Sequence, residues 1–297
     1  MQITGIDSEK CTQCGACINE CAPSVIVKVS DNSNPKGTIV KYEDPYDSCS
    51  RCGHCLAVCP TQAITYIGAD KCFEADMLKK PQDIPYSTII EFIRARRSIR
   101  QYKDKPVPKE EIEAVLEAMR YAPSASNEQN RKYIVLTDPE QIRTFSNKIT
   151  SVIEFTYKLV SNKIISNVFL WGNIRKLVKD PGFLHSMERL VTKAKDGKDP
   201  IFFDAPCVIV LHSPVYGNMA GCDSGIALTH GMLAAQARGL GTCWIGMAQE
   251  TVQRIKKIGK WLGIPKGRQV WGVMILGYPK VKFLRAPPRN SLNVEWK

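Results

Sequence analysis

Two stretches of this chain, residues 11–29 (CTQCGACINECAPSVIVKV) and 49–67 (CSRCGHCLAVCPTQAITYI), are copies of one pattern offset by 38 residues. Each reads Cys-x2-Cys-x2-Cys-x3-Cys: Cys11, Cys14, Cys17 and Cys21 in the first, Cys49, Cys52, Cys55 and Cys59 in the second. A glycine, Gly15 or Gly53, follows the second cysteine of each copy, and a short β-rich tail follows the fourth. A [4Fe–4S] cube needs four thiolates, and three at this close spacing wrap three of its corners from one tight loop. The fourth cysteine starts a helical turn that leads to the other cube. Zinc sites usually show two separated Cys-x-x-Cys pairs, not a triple run plus one. A secreted disulfide scaffold is disfavoured too. Eight of the twelve cysteines are clustered, and the start, Met-Gln-Ile-Thr-Gly-Ile-Asp, lacks a basic region followed by an apolar one.

The repeat resembles the bacterial two-cluster ferredoxins. By that pattern one cluster takes Cys11, Cys14, Cys17 and Cys59, and the other takes Cys49, Cys52, Cys55 and Cys21. The second copy has the expected proline directly after its last cysteine (Cys59-Pro60). The first departs, reading Cys21-Ala22-Pro23, which affects the local turn and removes no ligand. Such a domain passes single electrons at low potential, so something else must receive or supply them.

The charge divides as the cysteines do. Residues 1–80 hold 8 Lys+Arg and 10 Asp+Glu, whereas the rest of the chain holds 33 and 19, within an overall charge of +12. Two units with different surfaces are expected: a cluster domain over 1–80, a linker to about 86 (DKCFEADMLKKPQDIPY, with Pro81 and Pro85), and a second domain over 87–297. The basic residues are scattered and carry no helix-turn-helix, zinc-finger or RNA-binding signature. Anionic cofactors or an acidic electron-donor protein are the expected partners, and nucleic acid is not. No apolar run reaches the ~18–20 residues of a membrane span, and a cytoplasmic protein is expected.

In the second domain Thr88-Ile-Ile-Glu91 reads as a capping-box helix start, and Pro108 opens a second helix to about Tyr121 with Ile112, Val115, Leu116 and Met119 on one face. Tyr133–Leu136 reads as a strand, and Asp138-Pro139-Glu140 caps a helix. Cys207–Leu211, Thr242–Ile245 and Val270–Leu276 read as strands, with a helix rich in small residues over 222–238. Strands and helices mix without regular βαβ units, which makes the class α+β. Neither a G-x-G-x-x-G nor a P-loop is present, and the four histidines form no ligand pair. Cys72, Cys207, Cys222 and Cys243 follow no ligand spacing and are expected to be buried apolar side chains.

Four segments in order resemble the FMN-dependent nitroreductase family over roughly 87–297. They are Arg96-Arg97-Ser98-Ile99-Arg100 with Tyr102; Ala122-Pro123-Ser124-Ala125-Ser126-Asn127-Glu128-Gln129; Asp223–Leu228 continuing to Gly239-Leu240-Gly241-Thr242-Cys243-Trp244-Ile245-Gly246; and Gly277-Tyr278-Pro279 with Arg289 downstream. The resemblance implies a nitroreductase-type α+β sandwich, an antiparallel-rich sheet with flanking helices, that dimerises around FMN. Arg96, Ser98 and Arg100 would hold the FMN phosphate, with Arg97 close to the ring or ribityl chain; the bland alternative is a basic helix end favoured by the dipole. Arg289 is the C-terminal candidate for a further phosphate contact, with Arg285 its rival. Pro123 and Ser124 set a turn that exposes backbone and hydroxyl groups. Asn127 would pair with the ribityl chain or the pyrimidine edge, or else act as a turn cap. The backbone N–H groups of Gly246 and Met247 would face flavin N5 and O4. Gly239 reads as a helix C-cap.

Residues from about 145 to 200 look like a helical insertion, punctuated by Phe155, Tyr157, Phe169, Trp171 and Phe183. Two extra helices packed on the core, or a lid over the flavin, would each account for it. The whole implies an oxidoreductase in which electrons pass from two [4Fe–4S] clusters to FMN, which delivers hydride from N5 to a nitro-aromatic, quinone, flavin or activated alkene. The chemistry lies on the cofactors, so no catalytic acid or base is expected. The donor would be a ferredoxin or NAD(P)H, and the state a homodimer with residues near 278–297 embracing the partner. The rival readings are an NAD(P)H-driven enzyme that sends electrons out through the clusters, an electron-transfer module without turnover, and a dehalogenase or flavin-fragmenting relative.

Overall fold

The computed structural model describes residues 1–69, 84–162, 180–215 and 219–297. Most of the expected linker, with Cys72, and the centre of the expected insertion, with Phe169 and Trp171, lie outside the described residues. The chain divides into two compact units, Met1–Asp83 with Ser124–Gln129, and Ile84–Pro123 with Asn130–Lys297. No described helix is long and apolar enough to cross a membrane.

In the first unit, β1 (Gln2–Ile6) pairs antiparallel with β4 (Ile64–Ile67), and β2 (Ile26–Ser30) pairs antiparallel with β3 (Thr38–Tyr42). The strands β2 and β4 are the β-rich tails of the two repeats. Between cysteines each repeat makes one short helix, α1 (Ala16–Asn19) and α2 (His54–Val58). Each helix starts after a left-handed glycine, Gly15 or Gly53, both at φ 78°. A side chain is disfavoured there by about 1–2 kcal/mol, so the glycine is what lets the loop double back tightly. The buried core is small: Ile3, Cys17, Ile26, Val40 and Ile64, with partly buried cysteines packed around it.

The second unit is built on a four-stranded antiparallel sheet in the order β5-β6-β8-β7, where β5 is Lys132–Leu136, β6 Cys207–Pro214, β7 Gly241–Trp244 and β8 Arg268–Gly277. Every residue of β6 is buried, which is why it reads as one continuous apolar run. Strand alternation then fills two cores. Val208, Val210, Val273 and Ile275 face one, with Phe145, Ile149 and Ile153 of α5 (Pro139–Ser161). Cys207, Ile209, Leu211, Met274 and Leu276 face the other, with α4 (Lys109–Arg120) and α7 (Ala220–Ala237). The remaining helices are α3 (Tyr86–Ala95), α6 (Pro181–Lys195), α8 (Gly246–Arg254) and α9 (Lys256–Trp261).

Several local expectations change. Helix α3 starts at Tyr86 with Pro85 at its N-cap and no side-chain cap, so Thr88-x-x-Glu91 lies inside the helix and is not a capping box. In the expected insertion, Tyr157 on α5 and Phe183 on α6 pack against the core, and Phe155 is exposed. Two of its aromatics therefore contribute to the core packing. Cys207 and Cys243 are buried as expected, but Cys222 on the first turn of α7 is exposed. Gly239 (φ 72°) does end α7, with Leu240 N donating to Ala235 O and Gly239 N to Gln236 O. That is a Schellman closure.

Candidate functional site

The first unit contains two hollows, each lined by four cysteines. Cys21, Cys49, Cys52 and Cys55 line one of about 360 Å³, with Ile3, Val25, Ile26 and Tyr42 among its walls. Cys11, Cys14, Cys17 and Cys59 line the other, of about 330 Å³, with Ile6, Val40, Ala63 and Ile64. The fourth cysteine of each repeat thus lines the hollow opposite to its own first three. Among the described residues no three Cys, His, Asp or Glu side chains converge closely enough to hold one metal ion. A single zinc needs all its sulfurs within about 2.3 Å of one point, whereas a cube spreads four sulfurs around a larger volume. Four soft thiols around an apolar-walled hollow fit the chemistry of a [4Fe–4S] cluster.

The thiols are tuned by their surroundings. Burial, reinforced by neighbouring Cys11, raises the Cys17 thiol, and burial pushes the Cys55 thiol up to about 11. Burial also acts to raise Cys59, but hydrogen bonds from Ala63 N and its neighbours outweigh it and leave this thiol below its ordinary value. Ala63 N lies 3.2 Å from Cys59 Sγ, and Arg51 N lies 3.4 Å from Cys49 Sγ. Such N–H···S contacts favour the charged sulfur and, in an iron–sulfur site, adjust its potential.

In the second unit the segment 96–103 lies beside β7. Ser98 bridges Thr242, Ile99 N donates to Thr242 O at 2.9 Å, and Tyr102 bridges Pro279. Gly241 makes this approach feasible, because a Cβ there would lie 2.6 Å from Ile99 Cγ1. Extended backbone alternates its side chains, which puts Arg96, Ser98 and Arg100 on one side of the segment and the buried Ile99 on the other. Arg100 lies over the Phe203 ring at 5.9 Å. Arg97 Nη1 donates to the carbonyls of Arg94 and Arg96 at the end of α3, and its Nη2 to Arg285 O at 3.2 Å. The structure therefore brings the Arg285 backbone, not Arg289, to Arg97. Arg289 is exposed and donates to its neighbour Pro288 O at 3.1 Å.

Gly246 and Met247 open α8, directly after Ile245, whose N–H is held by Val273 O at 2.7 Å. No side chain caps this helix, a Cβ at Gly246 would meet nothing within 4 Å, and Met247 is exposed. The first-turn N–H groups are thus open to an acceptor, at the positive end of the helix.

The segment Ser124–Gln129 belongs to the first compact unit. Ser126, Asn127 and Gln129 are all left-handed, and Ser124 Oγ accepts from Gln129 N at 3.1 Å. Asn127 Nδ2 donates to Arg51 O, in the second cysteine loop, at 2.5 Å. Pro123 O accepts from Arg131 Nη1 at 3.0 Å.

Residues 93–278 match the model of the nitroreductase family, well over half of the chain. The chain belongs to the nitroreductase family. Residues 10–63 match the model of the 4Fe–4S dicluster domain, so this nitroreductase-family protein carries a dicluster domain at its N-terminal end. A protein of Archaeoglobus fulgidus provisionally named NADH dehydrogenase/NAD(P)H nitroreductase is 29% identical over 191 residues, covering 64% of this chain and 85% of its own. An FMN reductase [NAD(P)H] of Bacillus subtilis is 26% identical over 210 residues, covering 69% and 72%. Among solved structures, a nitroreductase with bound FMN from Desulfitobacterium hafniense superposes with a TM-score of 0.51 at 23% identity, covering 69% of this chain and 97% of that one. A BluB-like flavoprotein from Clostridium difficile gives 0.52 at 18% identity, covering 68% and 94%. The two structures show the fold, an α+β nitroreductase sandwich as expected.

One residue at the cluster sites escaped the sequence reading. Asp44 accepts from Ser48 N, Ser48 Oγ, Cys49 N and Tyr42 OH, at 2.7, 2.8, 3.0 and 3.0 Å. Its only signal is an acidic residue five positions before Cys49, with a serine between them.

Proposed function

We propose that this protein is an oxidoreductase that binds FMN and two [4Fe–4S] clusters and reduces a small acceptor, such as a nitro-aromatic, a quinone or an activated alkene, by two-electron hydride transfer. The observation that carries this reading is the pair of four-cysteine hollows in a chain whose larger part is a nitroreductase-family domain. When bound, FMN supplies hydride chemistry at N5 and the clusters supply one-electron transfer at low potential.

The chain's residues take these roles. Cys11, Cys14, Cys17 and Cys59 hold one cluster, and Cys49, Cys52, Cys55 and Cys21 the other. Arg96, Ser98 and Arg100, on one side of an extended segment, hold the phosphate; their fixed charge and donors suit its oxygens. The uncapped N–H groups of Gly246 and Met247 donate to N5 and O4, a role that their open helix start supports. Arg97 acts as a positioning residue by tying the tail at Arg285 to the end of α3. Arg289 remains a candidate phosphate contact. Pro123, Ser124 and Asn127 are flavin contacts on family resemblance alone.

A homodimer accompanies this reading. Leu284, Leu292 and Trp296 in the C-terminal tail are 80%, 92% and 94% exposed, an apolar set that a partner subunit would cover. The first proposed donor is a reduced ferredoxin. A second reading, favoured by the NAD(P)H reductase relative, has a nicotinamide donor and uses the dicluster domain as the exit.

The deciding experiment is anaerobic. Protein with quantified iron and FMN is mixed in turn with reduced ferredoxin, NADH and NADPH, and flavin and cluster bleaching are followed separately. If only ferredoxin bleaches the flavin, and Cys14→Ser prevents it, the first reading holds. If a nicotinamide bleaches the flavin before the clusters, the second replaces it. Turnover of any acceptor with either donor rules out a module without catalysis.

A further inference from the structure

The two cysteine loops differ in what holds their first amide. In the second loop Cys49 N donates to the Asp44 carboxylate at 3.0 Å. That carboxylate also accepts from Tyr42 OH and from both donors of Ser48, and no lysine or arginine pairs with it among the described residues. In the first loop Cys11 N donates at 3.0 Å to the main-chain carbonyl of Asp7, an uncharged dipole. The Asp7 carboxylate is turned instead to Glu9 N and Lys10 N, with the Lys10 ammonium at 3.5 Å. An anchored anion thus touches the backbone of one ligand loop and is replaced by a neutral group in the other.

The remaining surroundings do not cancel this difference. The polar residues lining the hollow of Cys11, Cys14, Cys17 and Cys59 are Thr12, Gln13 and Thr61, none of them charged, and the Lys36 ammonium that donates to Thr12 O at 3.1 Å favours reduction there, in the same direction as the difference. Around the hollow of Cys21, Cys49, Cys52 and Cys55 stand Glu20, Arg51 and His54. The Arg51 charge is met by Asp47 at 3.1 Å, and Glu20 lies 3.9 Å from His54. Each hollow also receives an N–H···S contact, from Ala63 in one and Arg51 in the other, so that device does not separate them.

We propose that Asp44 makes the two cluster sites inequivalent, holding the site of Cys21, Cys49, Cys52 and Cys55 at a lower reduction potential than that of Cys11, Cys14, Cys17 and Cys59. Reduction adds one negative charge to a site. A fixed carboxylate bonded to the amide of a ligand cysteine opposes that charge by simple Coulomb repulsion. Net charge near a cluster is one of the properties that set its potential. Asp44 is partly exposed, so water and salt screen the repulsion and the shift is modest. Its sign does not depend on its size. The inference rests on the proposed binding of two clusters.

The test is an EPR-monitored redox titration of the iron-loaded full-length protein. Wild type is expected to show two separate midpoints. Cys14→Ser is expected to lose the higher one and so assign it. Asp44→Asn, which keeps an acceptor oxygen but loses the charge, should raise the lower midpoint and close the gap. Asp44→Glu restores the charge and should return the midpoint towards the wild-type value, which a purely structural effect would not. Asp7→Asn, which removes an anion beside the other loop, should leave the lower midpoint in place. Unchanged midpoints in Asp44→Asn at full iron content, or a shift confined to the site that Cys14→Ser abolishes, would overturn the proposal alone. A wild-type chain that takes up no iron–sulfur cluster would overturn the functional reading and this proposal with it.

Discussion

At matching positions of the two cysteine repeats the backbone makes the same rare turns. Gln13 and Arg51 have φ 59° and 55°, Gly15 and Gly53 both 78°, and Ser24 and Gln62 56° and 53°. Each pair is separated by the repeat offset of 38 residues. Four of these six residues are not glycine, and left-handed backbone away from glycine is uncommon. Its recurrence in both copies ties it to the shape of the loop and not to one local side chain. The contacts around that shared backbone differ. The Asp7 carbonyl meets one loop and the Asp44 carboxylate the other. The backbone geometry follows the ligand count, whereas the electrostatics are free to diverge.

The largest effect should come from breaking one copy. Cys14→Ser removes a thiol that lines the hollow with Cys59, and Cys52→Ser one that lines the hollow with Cys21. Each variant should lose about half of the iron. Iron analysis with EPR should show a different signal surviving in each; loss of both signals in either variant would mean that the two sites fold as one. Next, Arg96→Ala with Arg100→Ala should abolish FMN retention while leaving both repeats loaded. The FMN-to-iron ratio after gel filtration reads this directly, and retained FMN would remove the phosphate role.

Gly15→Ala and Gly53→Ala compare the copies more finely. Each puts a Cβ on a left-handed residue with open or ordinary space around it, so conformational strain is the main cost. Both should destabilise the first unit by about 1–2 kcal/mol. Chelator-induced iron release should be faster in both by similar factors, and a several-fold difference would show that the loops are not mechanically equivalent.

The smallest effect lies in the second unit, which has no part in the repeat and serves as its reference. Burial, then the nearby Arg268 and Lys132 cations, depresses the His212 imidazole to about 4. Its Nδ1 accepts from Arg268 Nε at 2.8 Å, which requires the neutral ring. Unfolding releases this group to an ordinary value near 6.5. The unfolded chain then binds more protons between those two values, so stability falls as pH drops from about 6.5 to about 4. His212→Asn keeps an acceptor and cannot titrate, so its melting temperature should fall less across that window than that of the wild type.

Much of this was legible in the chain itself. Ligand spacing is local, so the two Cys-x2-Cys-x2-Cys-x3-Cys runs could be written down before any fold was known, and the resemblance to two-cluster ferredoxins supplied the exchange of Cys21 and Cys59 between them. The continuous apolar run 207–211 marked a doubly buried strand because alternation disappears when both faces are covered. What escaped had non-local causes. Thr88 and Glu91 satisfy a capping pattern, yet Pro85 starts the helix earlier. Cys222 has the composition of a core residue, but its place on the exposed side of the α7 start is set by how that helix docks. Arg97 shares its charge with Arg96 and Arg100. Only the turn of the chain after α3 directs its guanidinium to backbone carbonyls.

The sequence by itself determined that there are two iron–sulfur loops, that the larger part belongs to the nitroreductase family, and that the arginine and glycine segments recur in family order. These properties depend on which residues stand a few positions apart, and spacing survives in a linear text. Only the tertiary structure decided that Ile99 reaches Thr242 over a bare Gly241, and that an anion closes one cysteine loop and a carbonyl the other. Those outcomes depend on distances between residues far apart in the chain. They are set by how strands pair and helices pack, which no single segment encodes.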